Sequence, residues 1–527
     1  MNIMKRTWIV ACGLMMMAGA SAQNAYDAER LLGNELNGTA RFIGMGGAMS
    51  ALGGDISVMG TNPAGIGIYR SNDLSVSFGL NNTAAESVFN GTTMKEDRTR
   101  ASLDQLGLVY THKIGNATTL RYVNFGFNYH KSRNFNKLFS MGGAMDGFSQ
   151  SKYLADEMAA WGMGVEDFDK MMASNSPYRD YWNTYPVLGI MGAMTGVVDW
   201  PMDFEDIVGW DGEYANYFSK ETGGINQFDF NVAFNIEDRF YVGGTIGIYN
   251  VDYNRYSSYT ENLLDDEGAP NGGYTLDNYY ELEGAGVDLK LGAIIRPFEE
   301  SPFRIGVAIH TPTWYDLTES YNATMSSDIT YYGETYSQTL SDELAPEYLI
   351  YDYRLTTPWK FNVSLGTTLS NLVALGAEYE YQDYSSAKLK DVDGYELGGQ
   401  ESVEQFLKGV HTFRVGMETR LSPEFSLRAG YNYSSAAFSE DAYNALSLYG
   451  TSTDFNNTQS KNTVTFGLGY KGSVIYADLA YKYDMYKSNF CAFDSNYNFS
   501  TGDYDLLPAA EVDNSRHQLV FTLGARF

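Results

Sequence analysis

Beyond its first 22 residues the chain has no run of about 18 consecutive apolar residues, so no segment can cross a bilayer as a helix. It has only two cysteines, Cys12 and Cys491, and Cys12 falls in that leading stretch. No internal disulfide is therefore available to staple the fold. Positive charge is scarce: 36 Lys and Arg stand against 65 Asp and Glu, for a formal net charge of -29. Such a surface repels nucleic acid, which is excluded as a partner, and repels anionic headgroups. The five histidines (His112, His130, His310, His411, His517) are dispersed. No Ser, His and acid trio stands in a nucleophile-elbow sequence, and no Cys or His pair has metal-ligand spacing. No catalytic residue, metal site or cofactor is expected. The acidic turn at 391–396 resembles the start of a calcium loop but lacks the later ligands, and reads as an ordinary turn.

What is present begins with a leader. Residues 1–22 read as a secretory signal: Lys5 and Arg6, an apolar run from Trp8 to Ala18, then Ala20-Ser21-Ala22 before Gln23. Cys12 loosely imitates a lipoprotein site, but it lies close behind Arg6 and apolar residues continue past it. Much of the acid sits between candidate strands, at Asp203 and Asp206, Asp265-Asp266-Glu267 and Asp342-Glu343, and reads as solvated loops kept soluble by like charge.

The dominant signal is alternation at period two, found in fourteen stretches of the chain. In the last of them Leu519, Phe521, Leu523, Ala525 and Phe527 share one face, while Gln518, Thr522, Gly524 and Arg526 share the other. The same pattern runs through Phe228 to Ile236, Val287 to Ile295 and Val464 to Tyr470. Connections alternate short and long, with brief turns near 114–118, 237–239, 297–302, 370–372, 422–424 and 472–473, and the intervening connections are expected to run to tens of residues. Lipid on one side and a polar lumen on the other dictate this pattern. The fold class is all-β, a 14-stranded antiparallel transmembrane β-barrel spanning 71–527. A soluble sandwich alternates too, but nothing in it requires turn lengths to alternate. Tyr110, Tyr129, Tyr249, Tyr253, Tyr470 and Tyr483 are expected at the membrane interfaces. Arg304, Arg414 and Arg428 fall on inward positions, where Glu378, Glu380 and Glu418 are available to pair with them.

Two segments break the pattern. The stretch 132–224 is expected to form a partly helical extracellular cap, with Tyr153, Leu154, Met158, Trp161, Met163, Phe168, Met171 and Met172 at helical spacing. The stretch 23–70 begins with a candidate helix at 24–36 and is then rich in glycine. No strand precedes the glycines, so a dinucleotide loop is disfavoured; small residues there let backbone pack tightly inside a barrel.

That stretch continues Gly54-Asp55-Ile56-Ser57-Val58-Met59-Gly60-Thr61-Asn62-Pro63-Ala64-Gly65. Here the sequence resembles the FadL/OmpP1/TodX family of outer-membrane transporters of hydrophobic compounds, which carry an Asp-x-Ser element followed by Asn-Pro-Ala-Gly before strand one. Arg304-Ile305-Gly306, Thr357-Pro358-Trp359, Glu378-Tyr379-Glu380-Tyr381 and Leu427-Arg428-Ala429-Gly430-Tyr431 extend the likeness. The resemblance implies a 23–70 lumenal hatch, with Asp55, Ser57, Asn62, Pro63, Ala64 and Gly65 in gating. It implies passive uptake of hydrophobic small molecules, long-chain fatty acids or similar, by loop capture, a lumenal site and hatch-gated lateral release where strand three kinks inward, with Gly126 the candidate kink. Phe42, Trp161, Phe168, Met171, Met172, Arg304, Arg414 and Arg428 are the candidate ligand contacts. The expected setting is the outer membrane of a Gram-negative bacterium, as a monomer in contact with outer-membrane lipid, assembled through the barrel machinery by the strand ending in Phe527. A polar-solute porin, and a surface receptor or adhesin using the loops, are the alternatives.

Overall fold

Residues 23–200, 206–265, 267–331, 334–341, 350–370, 372–498 and 501–527 are described by the computed structural model. The leader with Lys5, Arg6 and Cys12, and the acids Asp203, Asp266, Asp342 and Glu343, lie outside them. Alternating side chains build fourteen barrel strands. These are β1 (Asp73–Phe89), β2 (Thr92–Lys113), β3 (Leu120–Asn134), β4 (Asp211–Ile236), β5 (Phe240–Leu264), β6 (Pro270–Ile295) and β7 (Arg304–His310), followed by β8 (Lys360–Leu369), β9 (Val373–Asp383), β10 (Gly409–Arg420), β11 (Phe425–Ser434), β12 (Phe455–Lys471), β13 (Ile475–Cys491) and β14 (Ala510–Arg526). Each pairs antiparallel with the next, and β14 returns to β1 with Asp73 opposite Arg526, so the sheet closes and leaves no edge. Lys137–Ala144 prolongs β3 along β4, and Trp314–Tyr331 prolongs β7 along β6. No helix among the described residues is long and apolar enough to cross a membrane.

The outward faces are those the alternation predicts. Phe78, Phe230, Leu291 and Phe521 are exposed, while Asn231, Lys290, Glu378 and Lys482 are buried on the inner face. The short turns also fall in place, down to Glu237 and Asp238, which close the β4–β5 turn at φ 55° and 54°.

Two of the connections expected to be long do not. β1 and β2 are joined only by Asn90-Gly91, and β5 and β6 only by 265–269, because the strands themselves continue far above the membrane: β4, β5 and β6 run to 26, 25 and 26 residues. The physical reason is a change of phase. On β6 the outward row is Ile295, Ala293, Leu291, Leu289, Val287 and then Ala285, Glu283 and Glu281, whereas the inward row passes from Lys290 and Asp288 to Leu282, Leu276 and Tyr274. β5 does the same, with outward Ile246 and Ile248 giving way to Asn250 and Asp252 while inward Thr245 gives way to Tyr249, Val251 and Tyr253. In the bilayer the apolar face looks out; in water it looks in. Above the membrane the wall is thus a water-soluble collar with an apolar interior. Tyr249 and Tyr253 are accordingly not interfacial: both are buried inside the collar, whereas Tyr110 and Tyr470 are exposed.

Unequal tolerance to charge follows. Leu291 is centred in the β6 apolar row Val287–Ile295, so Leu291→Arg is expected to cost about 2–4 kcal/mol in urea unfolding from lipid vesicles. Glu283→Arg, in the wet part of the same row and opposite Asp252, is expected to stay within about 0.5 kcal/mol. Equal costs at the two positions would mean that the change of phase does not mark the membrane boundary.

Candidate functional site

The segment before β1 lies inside the barrel. Its first element, α1 (Ala25–Leu32), is shorter than the helix expected at 24–36 and carries a capping box between Asn24 and Asp27. Next comes α2 (Ala40–Gly44), whose cap Thr39 accepts from Phe42 N at 3.1 Å and donates its hydroxyl to both Asp55 oxygens at 2.8 and 2.9 Å. Asp55 in turn caps the 3-10 turn Ile56–Gly60 by accepting from Ser57 N, and Ser57 Oγ accepts from Thr39 N at 2.9 Å. The Asp-x-Ser element is therefore a clasp that ties the start of α2 to the turn after it. Asn62 caps the next turn, Pro63–Ile68, and reaches Ala293 O on β6 at 3.4 Å, with Pro63 at the first position where no N–H is needed. Phe42 faces neither solvent nor an open lumen; it packs with Met45, Met49, Leu52, Ile56, Val58, Met59 and Ile66 in the plug's own core.

Glycines of the wall make room for this plug. Gly366, Gly376, Gly416 and Gly430 are successive cross-strand partners on β8, β9, β10 and β11, forming one inward row. A Cβ on Gly376 would stand 1.9 Å from Ala48 O, one on Gly416 2.1 Å from Met45 O, and one on Gly430 2.2 Å from Gly46 N. Plug backbone thus lies directly on wall backbone. On the far side Gly243 receives Pro63, Gly292 and Gly306 receive Asn62, and Gly126 receives the end of Met59. Gly126 is therefore a socket rather than a kink: β3 is paired there on both sides, with Val109 and with Asn231.

The charges of the lumen are consumed internally. Arg41 of the plug donates to Glu418, which also accepts from Arg428 at 2.6 Å; Arg428 reaches Asp478 at 2.5 Å. Arg414 pairs with Glu378 and Glu380 at 2.6 and 3.2 Å, and Arg304 donates to Leu52 O of the plug. Lys290 lies between Asp229 and Asp288, and Lys482 donates to Leu36 O at 2.8 Å. Arg304, Arg414 and Arg428 thus hold plug or wall together and do not converge on a common ligand position.

Above the plug, the apolar interior of the collar is filled from two directions. From below comes α1. From above comes the cap, in which α3 (Gln150–Ala160), α4 (Val165–Ala173), α5 (Pro177–Tyr181) and α6 (Val187–Met194) pack Leu154, Met158, Phe168, Met171, Leu188 and Met191 with Tyr259, Leu263, Tyr274 and Leu276 of the collar. Phe168 and Met171 are therefore core, while Trp161 and Met172 are exposed on the cap surface. The structure does not bring the candidate ligand contacts together: Phe42 is in the plug, the three arginines are in the lumen wall, and the cap residues divide between core and surface. Among the described residues no group of three or more His, Cys, Asp or Glu side chains is placed to hold a metal ion.

A buried carboxyl group links the cap to the collar. Glu261 of β5 is fully buried and accepts from Gln150 N at 3.1 Å, at the start of α3, and from Tyr274 OH at 2.8 Å and Tyr259 OH at 3.1 Å. Burial pushes its carboxyl up to about 7, against the hydrogen bonds that favour the charged form. A raised carboxyl favours the docked state at low pH, where it is protonated both docked and free. That contribution is lost as pH rises from the usual carboxyl value toward 7. Limited proteolysis of 145–210 is therefore expected to be slowest near pH 5 and faster at pH 8, and Glu261→Gln is expected to flatten the difference. A pH-independent cleavage rate in the wild type would remove this role.

No family model matches the sequence, and no curated protein matches it. Solved structures do. A FadL homologue from Pseudomonas aeruginosa superposes with a TM-score of 0.50 at 12% identity, covering 94% of this chain and 99% of that one. The Pseudomonas putida toluene transporter TodX gives 0.49 at 12% identity over 94% and 99%, and the Ralstonia pickettii toluene transporter TbuX gives 0.44 at 15% over 93% and 99%. At such identity the likeness is one of fold, and the fold is that of a FadL-type barrel.

Proposed function

We propose that the chain is an outer-membrane channel of a Gram-negative bacterium for passive uptake of hydrophobic compounds, captured by the loops, held in the lumen and released laterally as the 23–70 hatch moves. The observation that carries this reading is the sequence of environments along the axis: an apolar collar interior stands over a polar lumen stoppered backbone against backbone. A greasy solute gains from the collar and nothing from a wet pore, while a polar solute meets a lumen whose charges are paired and whose bore is filled. A lateral exit has support at the β2–β3 seam, where the ladder covers Gln105–Lys113 only, while β2 from Thr92 to Leu103 is paired with β1. Above it Arg98 of β2 reaches β4 instead, donating to Glu221 O at 2.9 Å. The test is uptake of a labelled long-chain fatty acid or toluene into proteoliposomes. Uptake above empty vesicles is expected, with Asn62→Ala and Pro63→Ala impaired while heat-modifiable gel mobility shows an intact barrel. Planar bilayers with the wild type are expected to be nearly silent; large steady currents would replace this reading with a polar-solute porin.

A further inference from the structure

We propose that α1 is a built-in competitor of the transported solute: it occupies the collar slot in which an uncharged apolar molecule binds, and the solute must displace it. This rests on the channel reading above and adds to it a binding site in the collar, on the way from the loops to the lumen.

Four observations carry the proposal. The slot is the apolar interior of the collar, lined by Val251, Tyr253, Leu282, Leu317, Tyr353, Leu355, Leu389, Val403 and Phe406, and its occupant is the apolar face of α1: Ala25, Ala28, Leu31 and Leu32. A helix of 8 residues is marginal in water and owes its form to that slot, so outside it the segment is a short flexible chain.

Second, the docked state is poorly balanced. Glu319, fully buried on the slot wall, accepts from Tyr280 OH at 3.0 Å, from Tyr321 OH at 2.7 Å and from the Gln23 amide; none of these partners is a cation. Asp27 of α1 lies close enough to repel it, while Arg30 is committed to Asp27 at 2.8 Å. Burial without a counter-ion, with Asp27 beside it, pushes the Glu319 carboxyl up to about 8, so docking of α1 holds it in its neutral form at a cost, and departure of α1 rehydrates it.

Third, the polar side of α1 is not packed dry. A polar cavity of about 60 Å³ remains between it and the collar, lined by Asn24, Tyr26, Arg30, Arg255, Tyr280 and Asp454. That is room for water beside the polar face of α1, whose Asn24, Asp27 and Arg30 line it, while Ala25, Ala28, Leu31 and Leu32 stay packed in the slot.

Fourth, α1 can leave alone. Immediately after Gly33 the chain is anchored again, by Glu35 N to Ser132 O at 2.8 Å, by Glu35 with Arg516 and by Leu36 O with Lys482. The helix itself is held by Asn24 to Asn444 at 2.8 Å, Ala25 N to Ser402 at 3.0 Å, Tyr26 to Asn457 at 2.7 Å, Arg133 to Glu29 O at 3.0 Å and Gln23 to Glu319, by Tyr26 stacked on Phe438 and by Arg30 over the rings of Tyr253 and Tyr280, all of them contacts that do not involve the lower plug. The lower plug, seated on the wall glycines, stays where it is.

The experiment uses the full chain in nanodiscs and measures equilibrium binding of radiolabelled naphthalene, subtracting empty discs. One variant locks α1 down, Asn24→Cys with Asn444→Cys in a Cys491→Ser background, joined by a short bifunctional thiol reagent. A second loosens it from its own side only, Leu31→Ala with Leu32→Ala, leaving the slot wall intact. Locking is expected to weaken binding about tenfold or more, and loosening to strengthen it by a similar factor, because apparent affinity scales with the fraction of molecules whose site is open. Releasing the lock by a cleavable reagent is expected to restore binding. If all three proteins bind naphthalene equally, α1 is not a competitor and the channel reading stands. If none binds above empty discs, the channel reading itself fails and this inference falls with it.

Discussion

Gly416→Val is expected to turn a nearly silent barrel into a conducting one. The new Cβ would stand 2.1 Å from Met45 O and 2.9 Å from Met45 C, both backbone atoms of the plug, so no rotamer change relieves the overlap. Valine is a better strand residue than glycine, so β10 itself is not weakened and the whole penalty falls on docking of the plug. At the upper end of overpacking costs, about 3 kcal/mol, plug occupancy shifts by roughly a hundredfold. Single-channel recording should therefore show frequent long openings where the parent shows few. Gly376→Val, which places its Cβ 1.9 Å from Ala48 O, should act alike. Because the two glycines are direct cross-strand partners, combining them should add less than the sum, since the plug segment they seat is already displaced by either. Gly244→Ala is the control: it lies on the outward side of β5, and its nearest neighbours would be 3.5 and 3.8 Å away. A silent Gly416→Val with normal barrel mobility would show that the plug is not held by backbone contact.

How much of this was legible in the sequence divides cleanly by the range of the forces. The alternation on β4 or β14 is local, because each side chain reads only lipid or lumen, so faces, turns and the closed barrel follow from spacing alone. The collar was not legible in the same way. Its strands continue the same period with the faces exchanged, and a change of phase at Ile248 to Asn250 looks, residue by residue, like the end of a strand and the start of a polar loop. Tyr249 and Tyr253 therefore read from the sequence as interfacial, yet lie inside the collar. The plug was legible in its glycines, but their partners were not: nothing near Gly376 in sequence announces Ala48, which arrives from more than three hundred residues away. A signal did exist in the inward glycines of β8 to β11, each with at least one outward apolar neighbour, because glycine in a strand interior weakens it and marks a place where another backbone comes close. The pairing of Arg414 and Arg428 with wall acids was foreseeable from residue type, whereas Arg41 joining Glu418 from the plug required the fold.

Removing Glu418 should open the plug further than either glycine substitution. Its carboxylate stands between Arg41 of the plug, at 3.0 and 3.2 Å, and Arg428 of the wall, at 2.6 Å, and Arg41 has Gly54 O as its remaining acceptor at 3.0 Å. Arg428 keeps Asp478, so the loss falls on the plug side of the network. Leaving one partner of a buried ion pair uncompensated costs about 3–5 kcal/mol, so Glu418→Ala is expected to raise the open population by roughly two to three and a half orders of magnitude. Glu418→Gln keeps an acceptor for Arg41 while losing the charge, and should lie between Ala and the parent. The decisive comparison is Arg41→Met with Glu418→Met. It removes charge from both sides of the plug contact and fills the space with apolar volume, and such exchanges are often neutral. If the ion pair holds the plug only because each charge would be stranded without the other, the double variant should fall nearly silent again, with a strongly non-additive double-mutant cycle. Equal conductance in Glu418→Ala and in the double variant would mean instead that Arg41 and Glu418 attract the plug in their own right, and that the polar lumen is a positive source of closure rather than a set of mutually satisfied charges.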